Sequence, residues 1–181
     1  NMSVTDSTLK DTSNTLPATA QVLIQRGKIT ENIANELMQR VRQSRSNFIA
    51  EVINAGHIDA ADMAFTLAQT FALPLLDIAA VDKTKLQKDL MDKKLAFECK
   101  LLPLSRKNGR LIIATADPGD QIVAKKVKFA IQSSIEWVVV EYPKLNTLIA
   151  ELSSSTTESL DKLTANADFN FDDITSADED S

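Results

Sequence analysis

Glycine is scarce in this chain. Only Gly27, Gly56, Gly109 and Gly119 occur among 181 residues, and none stands in Gly-x-x-x-x-Gly-Lys-Ser/Thr or Gly-x-Gly-x-x-Gly spacing. Phosphate-cradling loops of those two kinds are therefore excluded. Cysteine is limited to Cys99, so no internal disulfide can form, and the start lacks a charged-apolar-small signal pattern; a reducing, cytoplasmic setting is expected. His57 is the sole histidine, and without a convergent nucleophile or metal partner it reads as a satisfied or solvated side chain. Aromatic residues make up 5%. No apolar run approaches the roughly 18 residues that a membrane span needs, so membrane association would have to pass through a partner.

What the chain does have is enough hydrophobic content, 44%, to bury a core, and a lopsided charge. From Glu158 onward eight acids face Lys162 alone, −7, which leaves +2 of the net −5 for everything before. Between Lys83 and Lys128 the balance reverses, with twelve Lys/Arg against five Asp/Glu. Without aromatic interleaving these lysines read as a solvated face, and no nucleic-acid partner is expected. Asp172 and Asp173, with Asp178 to Asp180, lack an Asp-x-Asp-x-Asp-Gly loop and a returning glutamate, so no metal site is assigned.

Residues 101–120 are the most legible stretch. Asn108-Gly109 is a two-residue type I′ turn between an apolar arm (Leu101, Leu102, Leu104) and a second arm, Leu111-Ile-Ile-Ala114. The second arm is apolar at consecutive positions and is expected to be central; Pro103 puts the first at an edge. Asp117-Pro118 offers an N-cap and an N1 proline for a following helix. Upstream, a unit recurs at a shift of 29: Leu23-Ile-Gln-Arg-Gly-Lys-Ile-Thr30 overlies Val52-Ile-Asn-Ala-Gly-His-Ile-Asp59, which predicts two tandem helical hairpins.

The expected organisation is a mobile segment over 1–13, a helical subdomain over 14–71, a small α/β subdomain over 72–153 and an acidic disordered linker over 154–181. In the α/β part, Leu75, Leu76 and Ile78 predict a short strand. Lys83 to Lys94 predicts a helix with Leu86, Leu90 and Met91 inward. Gln121 to Gln132 predicts another, with Ile122, Val123, Val127 and Ala130 or Ile131 inward. Ile135 to Tyr142 predicts a strand, and a last helix carries Leu145, Leu148, Ile149 and Leu152. The fold class is α+β or α/β, a four-helix unit followed by a three- to four-stranded mixed sheet with a parallel βαβ crossover.

Taken in order, the Gly-x-Ile hinges, Leu67-Ala-Gln-Thr-Phe-Ala-Leu-Pro-Leu-Leu-Asp-Ile78, Leu102-Pro-Leu104, Gly109-Arg-Leu-Ile-Ile-Ala-Thr-Ala-Asp-Pro118 and Asp168-Phe-Asn-Phe-Asp-Asp-Ile174 resemble the N-terminal domain of type II secretion and type IV pilus assembly ATPases. The resemblance is to PilB-like proteins, which are related to MshE-type N-terminal domains. It implies a non-catalytic regulatory and docking domain of a homohexameric motor, with ATP and Mg held only by an absent C-terminal core. It further implies partners among the pilus inner-membrane platform proteins or a PilZ-type adaptor, and a cytoplasmic place peripheral to the inner membrane.

A subset of that family binds cyclic di-GMP through two copies of a motif that opens Arg-Leu-Gly and ends in glutamine. Carried over, its later glycine and isoleucine match Gly27 and Ile29, then Gly56 and Ile58. Its opening triplets fall on Ala18-Thr19-Ala20 and Asn47-Phe48-Ile49, and its glutamines on Val41 and Thr70. Both arginines are lost, and with them the charge-assisted bonds on which a phosphate ligand relies. The resemblance therefore implies a degenerate dinucleotide site, with a cyclic di-GMP sensor as the alternative reading and no catalytic residue.

Overall fold

The computed structural model describes residues 15–154; the expectations for 1–13 and for 155–181, including Asp168–Ile174, fall outside them. Of the described residues, 15–145 belong to one compact unit and 146–154 to a second.

Four helices open the first unit: α1 (Ala18–Gln25), α2 (Glu31–Ser44), α3 (Phe48–Asn54) and α4 (Ala60–Thr70). The shift of 29 holds at the two boundaries that frame each turn. α1 and α3 end at Gln25 and Asn54, and α2 and α4 begin at Glu31 and Ala60. Each second helix opens on a side chain that accepts an otherwise orphaned amide: Thr30 Oγ1 from Ile33 N–H at 3.2 Å, Asp59 Oδ1 from Asp62 N–H at 2.7 Å. The equivalent Leu23 and Val52 are both fully buried, and they share one core with Leu37, Ile49, Met63 and Leu67.

The chain then reaches a three-stranded sheet of order β1-β2-β3, built from β1 (Leu102–Lys107), β2 (Arg110–Thr115) and β3 (Ser134–Val139). β1 runs antiparallel to β2 with a register shift between Pro103 and Ser105, and β2 pairs parallel with β3. As expected, Pro103 is on the edge strand and Leu111 to Ala114 lie in the central one. Asn108 (φ 54°) and Gly109 (φ 75°) make the turn. Two further helices complete this part, α5 (Lys93–Glu98) and the crossover helix α6 (Gln121–Ala130). Leu101, Leu111, Ile113, Val127 and Ile131 form the core between sheet and helix. A seventh helix, α7, covers residues 142–154.

Four local expectations are corrected. The helix over Lys83–Lys94 is absent: a 3-10 turn at Lys83–Lys85 is followed by irregular chain until α5. Asp82 closes that turn by accepting from both the backbone N–H and the hydroxyl of Thr84, and Asp89 is left-handed (φ 61°), which no helix interior accommodates. Leu90 and Met91 still pack on the sheet core.

The strand at Leu75–Ile78 shrinks to one bridge, Leu75 with Val139. It is confined between Pro74, which has no amide to donate, and Asp77, whose carboxylate accepts from Ala79 N–H. The cap of α6 is Asp120, which accepts from Val123 N–H at 3.1 Å, and not Asp117. Finally, Ile122 points outward at 71% exposure, because Val123, Val127 and Ile131 set the inner face of α6 on the opposite side.

Candidate functional site

The residues singled out by the hairpin motif gather at two equivalent turns. Gly27 (φ 72°) and Gly56 (φ 78°) sit in the left-handed region just past α1 and α3. Each turn closes in the same way: Gly27 and Lys28 donate to Ile24 and Leu23, and Gly56 and His57 donate to Ile53 and Val52. Ile29 and Ile58 follow as buried members of the helical core, 6% exposed each. Lys28 Nζ pairs with Asp62 Oδ2 at 3.0 Å, which links the first turn to α4.

A Cβ placed on either glycine would meet nothing within 4 Å, so backbone conformation alone selects glycine here. The same closure is made by Ala72 (φ 54°) after α4 and Lys100 (φ 55°) after α5. Gly27→Ala and Gly56→Ala should each cost about 1–2 kcal/mol from the left-handed φ, read as a lowered urea midpoint with an unchanged m-value.

Of the positions aligned with the opening triplets and the glutamines, all but Ala18, which opens α1, are engaged in packing or hydrogen bonds. Ala20, Phe48 and Ile49 are core residues. Asn47 caps α3 by accepting from Ala50 N–H at 2.8 Å, and its amide donates to the Tyr142 hydroxyl at 2.8 Å. Val41 packs on the core, and the Thr70 hydroxyl donates to the Thr66 carbonyl at 2.7 Å. His57 is exposed in its turn.

A second constellation has no mark in the sequence pattern. A cleft of about 150 Å³ is lined by Asn47 and Tyr142, by Glu98, Cys99 and Lys100 at the end of α5, and by Thr115, Asp117 and Asp120 leading into α6. In its wall, Asp117 accepts from the buried Thr19 hydroxyl and from Gly119 N–H at 3.1 Å, while its own N–H donates to Thr115 Oγ1 at 3.1 Å. This couples α1 to the β2–α6 loop across 98 residues of sequence, a separation that no local pattern registers.

Burial pushes the Asp117 carboxyl above its ordinary 3.8, helped by the nearby Asp120 charge and opposed by the bonds from Thr19 and Gly119. Burial likewise pushes the Cys99 thiol up, which keeps it in the poorly nucleophilic protonated form. Among the described residues no group of three or more His, Cys, Asp or Glu is arranged to hold a metal ion. The cleft offers polar contacts rather than an activated nucleophile.

The raised Asp117 pKa has a signed consequence. The native state holds this proton more tightly than the unfolded chain, so its contribution is complete below the unfolded value and is lost as pH rises through the folded one. Asp117→Asn removes that titration. In paired denaturation curves, wild type should therefore lose ground relative to Asp117→Asn as pH rises from about 3.5 toward neutrality; a difference independent of pH would contradict the assignment.

Comparison with known proteins follows the same outline. Residues 71–159 match the family described as the MshEN domain. The chain is 24% identical over 145 residues to the type IV pilus assembly ATPase PilB of Pseudomonas aeruginosa, covering 80% of this chain and 26% of that protein. It is 23% identical over 129 residues to PilB of Acinetobacter baylyi, covering 71% and 22%. The chain thus matches about a quarter of the length of these relatives.

Among solved structures, a structure of MshE with cdg superposes with a TM-score of 0.54 at 18% identity, covering 74% of this chain and 96% of that one. The N-terminal domain of XpsE superposes with a TM-score of 0.56 at 21% identity, covering 73% and 91%. These two likenesses establish the α+β fold. The MshEN match begins at Phe71, after the helices that carry both glycine turns.

Proposed function

We propose that this chain, which carries an MshEN domain and is homologous to the N-terminal region of PilB, is the docking and regulatory module of a type IV pilus extension ATPase, acting through protein contacts and not through chemistry of its own. One observation carries the reading. On a fold shared with N-terminal domains of this kind, the positions that would present arginines to a dinucleotide hold Ala18 and Asn47, and Asn47 spends its side chain on capping α3 and bonding Tyr142.

The partners proposed are cytoplasmic elements of the inner-membrane platform, or a PilZ-type adaptor. ATP and Mg are assigned to a C-terminal core of the parent, which is proposed to be a homohexamer. Among the described residues no helix is long and apolar enough to cross a membrane; the proposed location is cytoplasmic, at the inner membrane through partners.

The alternative, a cyclic di-GMP sensor, draws on the MshE structure solved with cdg and on the intact geometry of the Gly27 and Gly56 turns. The test of docking is retention of purified platform cytoplasmic domains, or of the PilZ-type adaptor, on immobilised chain. Saturable retention of one of them is expected, and retention of none would overturn the reading. Incubation with ATP and Mg should give no turnover.

A further inference from the structure

α6 turns a face outward that the fold does not use. Phe129 is 90% exposed and Ile122 71%, although both are large apolar side chains on a ten-residue helix. They are seven residues apart, so they lie about 20° from each other around the helix axis and about 10 Å apart along it. By the same geometry Lys125 flanks this line on one side and Lys126 on the other, with Lys128 a further step round. No carboxylate among the described residues pairs with any of these three lysines. Val123 and Val127, on the far side of α6, are what hold it to the sheet, so among the described residues the outer face has no structural duty.

Resting on the docking reading above, we infer that the Ile122–Phe129 ridge of α6 is the contact surface, and that its occupant is an acidic protein segment whose apolar side chains straddle the ridge while its carboxylates meet Lys125, Lys126 and Lys128. Charge decides the sign of the partner: two ammonium groups border the apolar line and a third stands further round, none of them paired with a carboxylate among the described residues, and α6 ends the stretch from Lys83 to Lys128 in which cations outnumber anions twelve to five.

Width decides its class. A helix that lies on a lipid surface buries a broad apolar face, of the order of 100° or more. Here the apolar line is only about 20° wide, and lysines stand immediately beside it. A narrow ridge is the shape that inserts between side chains of one facing helix or extended segment. Aromatic side chains, phenylalanine included, are also enriched at protein interfaces relative to the rest of the surface.

The test uses the whole chain, immobilised, with the platform cytoplasmic domains and the PilZ-type adaptor as soluble probes. Vesicles of phosphatidylglycerol and phosphatidylcholine in equal parts form a separate arm. Phe129→Ala should weaken the protein interaction by about tenfold or more. Lys125→Glu with Lys126→Glu should weaken it further at low salt and flatten its salt dependence. Because both sites are exposed, melting curves of the variants should overlay wild type.

If wild type binds a probe and the variants bind it equally well, the ridge is overturned while docking stands. If wild type binds none of the probes, docking itself fails and the ridge with it. Retention on the anionic vesicles that is lost in Phe129→Ala, without protein binding, would replace the protein occupant with a lipid surface.

Discussion

Leu23→Ala should lower stability by about 2–5 kcal/mol, the larger of two strong effects expected from single substitutions in this fold. Leu23 is fully buried in the core that the four helices share. Truncating it removes apolar contact and leaves a void where α1 meets α2 and α4. Two neighbours on that core, Ile29 and Ala34, belong to the next turn and helix, so the loss is felt beyond α1 itself. For a chain of this size the melting temperature should fall by about 2–4 °C per kcal/mol, and the urea midpoint should shift without a change in m-value. The repeat-equivalent Val52→Ala, which removes fewer carbons, should produce a smaller shift of the same kind. Leu23→Ala melting within about 1 °C of wild type would mean that the hairpins do not close on a common core.

The second strong effect comes from Gly119→Ala. Gly119 is not in the left-handed region, so what forbids a side chain there is proximity: a Cβ would stand 2.5 Å from Thr19 Oγ1, 3.1 Å from Phe71 Cζ and 3.2 Å from the Thr19 backbone nitrogen. The hydroxyl that would be struck is the one donating to Asp117, so the substitution attacks the joint between α1 and the β2–α6 loop. A cost of about 1–3 kcal/mol is expected from overpacking. Thr19→Ala removes the hydroxyl and should itself cost about 1.5–3 kcal/mol, since it strips a bond from a carboxylate. The two changes share an atom, so they should not be additive: the double variant should be more stable than the sum of the singles implies, by 0.5 kcal/mol or more in a double-mutant cycle, a threshold of the order typical of residues in contact. Additive costs would contradict the packing of Gly119 on Thr19.

These two sites differ in how far the sequence foretold them. The core position of Leu23 is legible because helical periodicity and the shift of 29 are local properties of the chain. The same holds for the turn at Asn108-Gly109, the capping residues Thr30 and Asp59, and the central place of Leu111 to Ala114. The Thr19–Asp117 joint has no such trace. Asp117 beside Pro118 has the residue types of a helix cap, and only the spatial arrival of α1 reassigns its carboxylate to Thr19 while Asp120 takes the cap.

Lys83 to Lys94 misleads for a related reason. Leu86, Leu90 and Met91 have helical spacing, but Asp82 and the left-handed Asp89 break the backbone, and burial of Leu90 and Met91 is achieved from irregular chain instead. Ile122 misleads too, because an apolar side chain next to Val123 fits an inward stripe. The face is fixed by Val127 and Ile131, and it leaves Ile122 on the ridge with Phe129.

The motif positions tell the same story at the level of function. Gly27, Ile29, Gly56 and Ile58 are readable as a repeated turn, and the structure places both copies in the same geometry. What that geometry serves depends on the residues at 18–20 and 47–49, of which 19–20 and 47–49 are engaged with the core, with Asp117 and with Tyr142.

The most direct measurement of the central claim, that these hairpins supply packing and contact surface rather than a dinucleotide pocket, is a calorimetric titration of the purified chain with cyclic di-GMP. The account predicts only heats of dilution. Saturable binding at micromolar concentration or tighter, abolished by substitutions at the Gly27 and Gly56 turns, would contradict it.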